Sequence, residues 1–394
     1  MSPGSEGEDR SRQPHSVRAQ SYAMVFGNLG VLAGGFMIVA FLPDVRRELN
    51  LSATQAGLLM AIYAITYALT SPLLGWLATR VSYGLVLQLA TLVAAAGCFM
   101  AAYVETPAWF LASRIVSAMG AAVFTPTAAA YAVAIHPLDQ RGKALSTVAL
   151  GVSLSQVLAL PAAAWASHIW GWRATFVIGG GFLIFMTIIL RLFTSGRERP
   201  VPLKFDVLRA ALLDRWLMTN ASLTILFSSV ANMIYVFQAE IFIQRAALSA
   251  SVLGFVLLAV GIGTMAGTWA TGRAIDKIGP SATLVAQETI AICTVLPMTM
   301  LHYDFAVACV LAIIAGAALF NHIPPLQMRL MRLMPSSVGM IFSINASCVY
   351  VGAAIGSFLS GCIVDLLGLF WLGPATAVMA LCAMLFLRLL DREP

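Results

Sequence analysis

Charge is what this sequence has least of: 10% of its residues are Asp, Glu, Lys or Arg while 60% are hydrophobic, against a charged fraction of about a quarter in soluble chains. A water-soluble globule is therefore excluded. Cysteine is scarce too, and the six, at 98, 293, 309, 348, 362 and 382, all fall inside apolar runs. They read as buried small apolar residues and not as a disulfide framework. No His-Glu-x-x-His, paired-cysteine metal spacing or Walker loop occurs, and Gly261-Ile262-Gly263 lies inside an apolar run with no strand before it. Metal, nucleotide and dinucleotide chemistry thus find no motif, so neither an enzyme nor a cofactor is expected. The net charge of +6 is not a nucleic-acid signature, because no basic patch is interleaved with exposed aromatics.

What the chain does have is apolar length. A hydrocarbon core of about 30 Å takes roughly 20 residues of helix, the one open-ended element that bonds all its own backbone there. Twelve such stretches are read, at 22–42, 54–78, 84–104, 108–134, 142–167, 171–192, 216–243, 250–272, 281–301, 305–326, 339–363 and 370–388. Residues 1–20 mix Glu6, Glu8 and Asp9 with Arg10, Arg12 and Arg18, which suits a cytoplasmic tail and not a signal peptide. Residues 194–215 are the only long polar connector. With connectors assigned alternately, one side of the membrane collects all 23 Lys and Arg except Arg46, Arg47, Arg173, Arg245 and the intramembrane Arg114. The positive-inside bias puts both termini in the cytoplasm and the turns at Glu105, Arg173 and Asp304 outside.

The chain also repeats itself. Gly272-Arg273-Ala274-Ile275-Asp276-Lys277-Ile278-Gly279-Pro280 reads as a polar turn between two apolar runs, and 197 residues earlier, half of 394, stands Gly75-Trp76-Leu77-Ala78-Thr79-Arg80-Val81-Ser82. Gly142 and Gly339, Ser146 and Ser343, Gly171 and Gly368, and Arg191 and Arg388 share that offset. Two copies of one unit are implied.

Gly-x-x-x-Asp-(Arg/Lys)-x-Gly between the second and third spans of a half resembles the signature loop of the major facilitator superfamily. The second copy matches throughout; the first has Thr79 for the aspartate and Ser82 for the last glycine. The resemblance implies an all-α membrane fold of twelve transmembrane helices in two pseudo-symmetric six-helix bundles, 21–193 and 216–390, joined by the 194–215 linker. It further implies gating at Thr79, Arg80, Asp276 and Lys277, alternating access to a central cavity, and peripheral third, sixth, ninth and twelfth helices. In the fifth span Gly151-Val152-Ser153-Leu154-Ser155-Gln156-Val157-Leu158-Ala159-Leu160-Pro161 is similar to the glycine- and proline-containing motif of exporters. With Arg141-Gly142-Lys143-Ala144 before it and Gly171-Trp172-Arg173 after it, the chain resembles the bacterial twelve-helix drug:proton antiporters, a branch that includes drug, sugar and purine efflux permeases. That likeness implies a monomer of the bacterial inner membrane that exports a small amphipathic molecule, with protons as the candidate coupling ion. An uncoupled facilitator or importer is the alternative within the fold. A receptor on a transporter fold is the alternative outside it, although the polar segments are too short for a soluble signalling domain.

Site candidates are polar groups that lipid would reject. Arg114 in the fourth span costs about 2.5–3.5 kcal/mol to insert. Arg114-Ile115-Val116-Ser117-Ala118-Met119-Gly120 resembles the superfamily's Arg-x-x-x-x-x-Gly motif, which implies substrate binding or proton coupling; a helix tie to neighbouring carbonyls is the other reading. In the seventh span Asn220, Thr224, Ser228, Asn232, Tyr235 and Gln238 recur at helical spacing as one polar stripe, either a wet path or interhelical bonding. Glu240 near the outer end of that span is the candidate proton carrier, or else a solvated acid paired with Arg245, while Glu288 belongs to a peripheral helix. The first span offers Asn28 where drug antiporters often carry an acid. Gln156, Asn345 and Tyr350 are further cavity candidates, and Asn321-His322 with Pro324-Pro325 forms a gate or an interrupted helix end.

Overall fold

The computed structural model describes residues 13–78, 80–137, 140–194, 213–333 and 338–391. Thr79 and most of the predicted linker lie outside the described residues. The long apolar runs are helical, and among the described residues eleven continuous stretches are long and apolar enough to cross a membrane. One of them, Arg141–Phe193, is 53 residues long and reverses at Gly171, whose φ of 82° and ψ of 157° break the helix. That division yields twelve spans.

The 197-residue repeat is visible in the backbone. Gly368, the counterpart of Gly171, opens the twelfth span with φ 89° and ψ 166°. This is a region that only glycine enters without strain of about 1–3 kcal/mol. A Cβ at Gly171 would meet nothing within 4 Å, so conformation alone demands the glycine. Gly171→Ala is expected to lower stability by about 1–3 kcal/mol, whereas Gly142→Ala, also open-spaced but without a positive φ, should not; thermal unfolding of the purified variants separates the two.

The signature stretch differs from expectation. The eighth span stays helical through Ile278, and only Gly279, at φ 82° and ψ 167°, makes the turn. Charged residues at the end of an apolar run extend a helix beyond the bilayer as readily as they end it. In the first copy Ser82 turns the chain with φ −68° and ψ 148°, because serine avoids positive φ. The two corresponding turns thus have different backbones.

Several spans run past or break within their predicted bounds. The first helix begins at Gln13, inside the predicted tail, ends at Phe36 and resumes as Ile38–Glu48 through Pro43. The seventh divides into Arg215–Tyr235 and Gln238–Arg245, and the tenth into Phe305–Leu319 and Ile323–Leu333. The breaks in the first and seventh spans fall at nearly equivalent repeat positions.

Exposed leucines at 85, 89 and 92 on the third span and at 381, 385 and 389 on the twelfth mark faces turned to lipid, as a peripheral position requires. Cysteines follow this pattern and not uniform burial: Cys98 and Cys348 are buried, but Cys293 and Cys382 are exposed. A thiol is apolar enough for a lipid-facing surface.

Candidate functional site

The two bundles meet mainly along two helix pairs, the second span with the eleventh and the fifth with the eighth, with a smaller contact between the first and seventh spans. At the end far from the termini, Asp365 at the close of the eleventh span accepts hydrogen bonds from the backbone amides of Ala53 and Thr54, both at 2.7 Å. It caps the exposed N-terminus of the second span across the bundle boundary. Beside it, Arg46 of the first span forms an ion pair with Glu240 of the seventh, with side chains 19% and 14% exposed. Glu240 had been expected to pair, if at all, with Arg245 on its own helix; the short helix Gln238–Arg245 carries it toward the opposite bundle instead.

Below this seal the bundles remain in contact as far as mid-span. Gly361 lies against Ala53, and Gly57 against Ser357, too closely for any side chain. On the other pair, Gly254 accommodates Trp165 and Gly261 accommodates Val157. Val157 sits in a widened π turn, Ser155–Ala159, which interrupts the fifth span. Toward the terminal end, Arg141–Leu154 packs on the first and fourth spans and, among the described residues, makes no comparable contact with the eighth. Among the described residues, the cross-bundle contacts thus gather at the far end and thin out toward the end that carries the termini.

The closed zone ends in aromatic rings. Tyr67 of the second span stacks on Tyr350 of the eleventh, centroids 3.6 Å apart and planes 17° from parallel. Phe36 of the first span meets Tyr235 of the seventh edge-on at 5.9 Å, and Tyr235 meets Phe320 of the tenth at 5.4 Å. Phe36, Tyr235, Phe320 and Tyr350 are half-buried although their rings meet mid-span on the boundary between bundles. Their free surface faces the space between the bundles.

Arg114 stands behind this layer, 1% exposed. Its guanidinium donates to the carbonyls of Gly34, Gly35 and Leu59 and lies 4.6 Å from the Tyr63 ring centroid. Gly34 and Gly35 occupy the last turn before the break in the first span, where carbonyls lose their amide partners. The arrangement is a tie among the first, second and fourth spans.

Most of the seventh-span stripe is likewise turned inward. Asn220 accepts from Arg329, Thr224 donates to Asn345 at 2.8 Å, and Ser228 bonds His322 Nε2 at 2.9 Å. The first bundle carries the equivalent knot, in which Asn28 accepts from Thr125 at 2.8 Å and donates to the Val148 carbonyl at 3.3 Å. Thr125 and Val148 precede His322 and Asn345 by the repeat length of 197. The predicted polar residues are thus divided between interhelical knots (Asn28, Asn345) and the boundary (Tyr235, Tyr350), while Asn232 is half-buried and donates to the Ser228 carbonyl of its own helix. Gln156 is exposed on the π turn, and Gln238 is 2% exposed with its Nε2 unpaired. Glu288 is 2% exposed on the ninth span with Oε2 unpaired. Asn321 bonds Thr264, Gly316, Ala317 and Thr268, so the break in the tenth span is pinned on both sides. Arg80, Asp276 and Lys277 are exposed at the terminal end.

Sequence reasoning missed Asp365 and the aromatic layer. Asp365 had a signal, as an acid closing an apolar run, but the rings look like any core aromatics. Asp365→Asn halves the acceptor capacity that bridges Ala53 and Thr54. It is expected to open the far end about 5- to 30-fold more often, the worth of one capping interaction of about 1–2 kcal/mol, read as faster alkylation of a cysteine placed at residue 235.

Comparison with known proteins agrees with this architecture. A family model described as Major Facilitator Superfamily matches residues 24–357. The uncharacterized MFS-type transporter YbcL of Bacillus subtilis (strain 168) is 25% identical over 357 residues, 89% of this chain and 91% of that protein. The inner membrane transport protein YdhP of Escherichia coli (strain K12) is 22% identical over 345 residues, 87% of this chain and 88% of that protein. Among solved structures, a bacterial homolog of the human lysosomal transporter Spinster, in an inward-facing and occupied conformation, superposes with a TM-score of 0.77 at 17% identity, covering 96% of this chain and 97% of the other. The nucleoside transporter NupG superposes with a TM-score of 0.75 at 11% identity over 96% of this chain and 100% of its own.

Proposed function

Since this chain belongs to the Major Facilitator Superfamily, we propose that it is a secondary active transporter that exports a small amphipathic molecule across a bacterial inner membrane in exchange for protons, with both termini in the cytoplasm. The observation that carries the reading is the asymmetric closure, with cross-bundle bonds at Asp365 and Glu240 and helices that part toward the terminal end. Such a molecule changes facing by exchanging one set of end contacts for another. The distribution of basic residues supports the orientation, the name of YdhP as an inner membrane transport protein supports the membrane, and the exporter-like fifth span supports the direction.

Glu240 is the coupling group in this reading, by a route different from a cavity acid. Its charge is bound to Arg46 of the other bundle while the far end is closed. A proton arriving from outside neutralises the carboxylate, removes the ion pair and favours the open far end; reclosure toward the cytoplasm expels the proton. In vesicles containing purified protein, Glu240→Gln is expected to retain exchange of substrate for substrate and to lose accumulation driven by a pH gradient. Gradient-driven accumulation that survives in this variant excludes the coupling role. An uncoupled facilitator is the second reading, favoured by the lack of acids in the first, fourth and tenth spans, and transport by the unmodified protein with no response to a pH gradient would establish it.

A further inference from the structure

We propose that the space between the bundles takes a planar aromatic anion and discriminates against the corresponding cation; the inference rests on the transport reading above and narrows its substrate class. The first observation is the state of Arg114. It is buried in the membrane interior, and its partners are the Gly34, Gly35 and Leu59 carbonyls, the Met60 sulfur at 3.9 Å and the Tyr63 ring. No carboxylate is among them. Of the acids on the described membrane segments, Glu240 is held by Arg46, Asp44 is paired with Arg47, Glu48 with Arg173 and Asp365 with two amides, while Asp276 is exposed at the terminal end and Glu288 lies on the ninth span. Carbonyl dipoles stabilise the guanidinium but leave its net charge uncancelled, and in a medium of low dielectric that charge acts over several ångströms.

The second observation is where that charge is aimed. Only Tyr63 separates it from the aromatic layer, since the guanidinium lies on the Tyr63 ring, Tyr63 contacts Phe36 at 5.7 Å and Phe36 contacts Tyr235. The Tyr63 hydroxyl is itself fully buried and has no hydrogen-bond partner. That hydroxyl lies against Gly35, so the interior directly behind the rings holds a positive charge and a free donor with no anion to balance them. Amines meet the opposite conditions there.

The third observation supplies the ring. Tyr67 and Tyr350 come from opposite bundles and lie at stacking distance, 3.6 Å and 17° from parallel. When the bundles separate at this level each tyrosine exposes a face, and a flat aromatic molecule can replace the partner ring without loss of stacking. Exposed basic residues at the terminal end, Arg80, Lys143, Arg273 and Lys277 among them, draw anions toward that opening.

The test uses one ring system in three charge states: indole-3-acetate, indole and tryptamine, added to the purified full-length protein, with binding read as thermal stabilisation and transport as counterflow in vesicles. Indole-3-acetate is expected to bind at least about tenfold more tightly than tryptamine, with indole between them. Tyr350→Ala should weaken all three, because stacking is blind to charge. Met60→Glu places a carboxylate beside the Arg114 guanidinium and should bring the acid-to-amine preference close to one while leaving the affinity for indole in place. Should Met60→Glu fail to fold, Tyr63→Phe, which removes only the hydroxyl, is expected to weaken indole-3-acetate and spare tryptamine. Tryptamine binding as tightly as the acid, or a preference unchanged by both variants, overturns the proposal. Counterflow of other compounds with no response to any of the three probes also overturns it and leaves the transport reading intact, whereas failure of every compound to move would count against transport itself.

Discussion

Gly361→Leu is expected to hold the protein open at its far end. A Cβ at position 361 would fall 2.5 Å from the Ala53 carbonyl oxygen and 2.8 Å from the Thr54 Cα, and both are backbone atoms that cannot swing aside. The clash exists only while the second and eleventh spans are pressed together, so it destabilises the far-end-closed state and leaves the opposite state untouched. Overpacking of this kind costs about 1–3 kcal/mol, which moves a two-state equilibrium by roughly 5- to 150-fold. In a background stripped of the six native cysteines, a cysteine in place of Tyr235 should react with an impermeant thiol reagent faster by a factor in that range. Gly181→Leu, where a side chain meets nothing within 4 Å, is the control. Equal reactivity in the two variants would mean that the second and eleventh spans do not separate during the cycle.

Arg114→Leu is expected to lose most of the folded protein. The substitution removes hydrogen bonds to three backbone carbonyls, two of them in the last turn before the break in the first span, where intrahelical amides are out of reach. A hydrogen bond to a charged group is worth about 1.5–3 kcal/mol, so three are worth about 4.5–9 kcal/mol; less the about 2.5–3.5 kcal/mol no longer spent on burying the charge, the net loss is a few kcal/mol, a large share of ordinary stability. Arg114→Lys keeps the charge but reaches fewer carbonyls, and an intermediate unfolding temperature is expected. The measurement is the unfolding temperature of detergent-purified protein with the amount recovered from membranes. A variant with normal stability and no transport would show instead that the charge serves the transported molecule alone.

These two residues show where sequence reasoning reached and where it ended. Arg114 was legible as exceptional because an arginine within an apolar run is costly in any fold. Its partners were not, because the carbonyls of Gly34, Gly35 and Leu59 become available only when the first span breaks and two other helices approach. Gly361 carried no local signal, being one of 31 glycines, and its importance comes from a helix distant in sequence. The seventh-span stripe was legible as polar and periodic. Whether it faced water or other helices depended on the rotation of that helix, and the structure turns Thr224 and Ser228 toward Asn345 and His322.

By itself the sequence determined the solvent, the helical character, the twelve spans and the twofold repeat. Each follows from one-dimensional quantities: apolar length against bilayer thickness, the scarcity of charge, and an offset of 197 that returns at Gly171 and Gly368 with the same backbone conformation. Only the tertiary structure decided which polar groups tie helices and which border the space between bundles. It alone placed Glu240 on Arg46 and Asp365 on the second span. The physical reason is that a helix sequence fixes angles around its own axis, whereas contact between bundles depends on how axes rotate, break and cross, and those are settled by the packing of residues far apart in the chain.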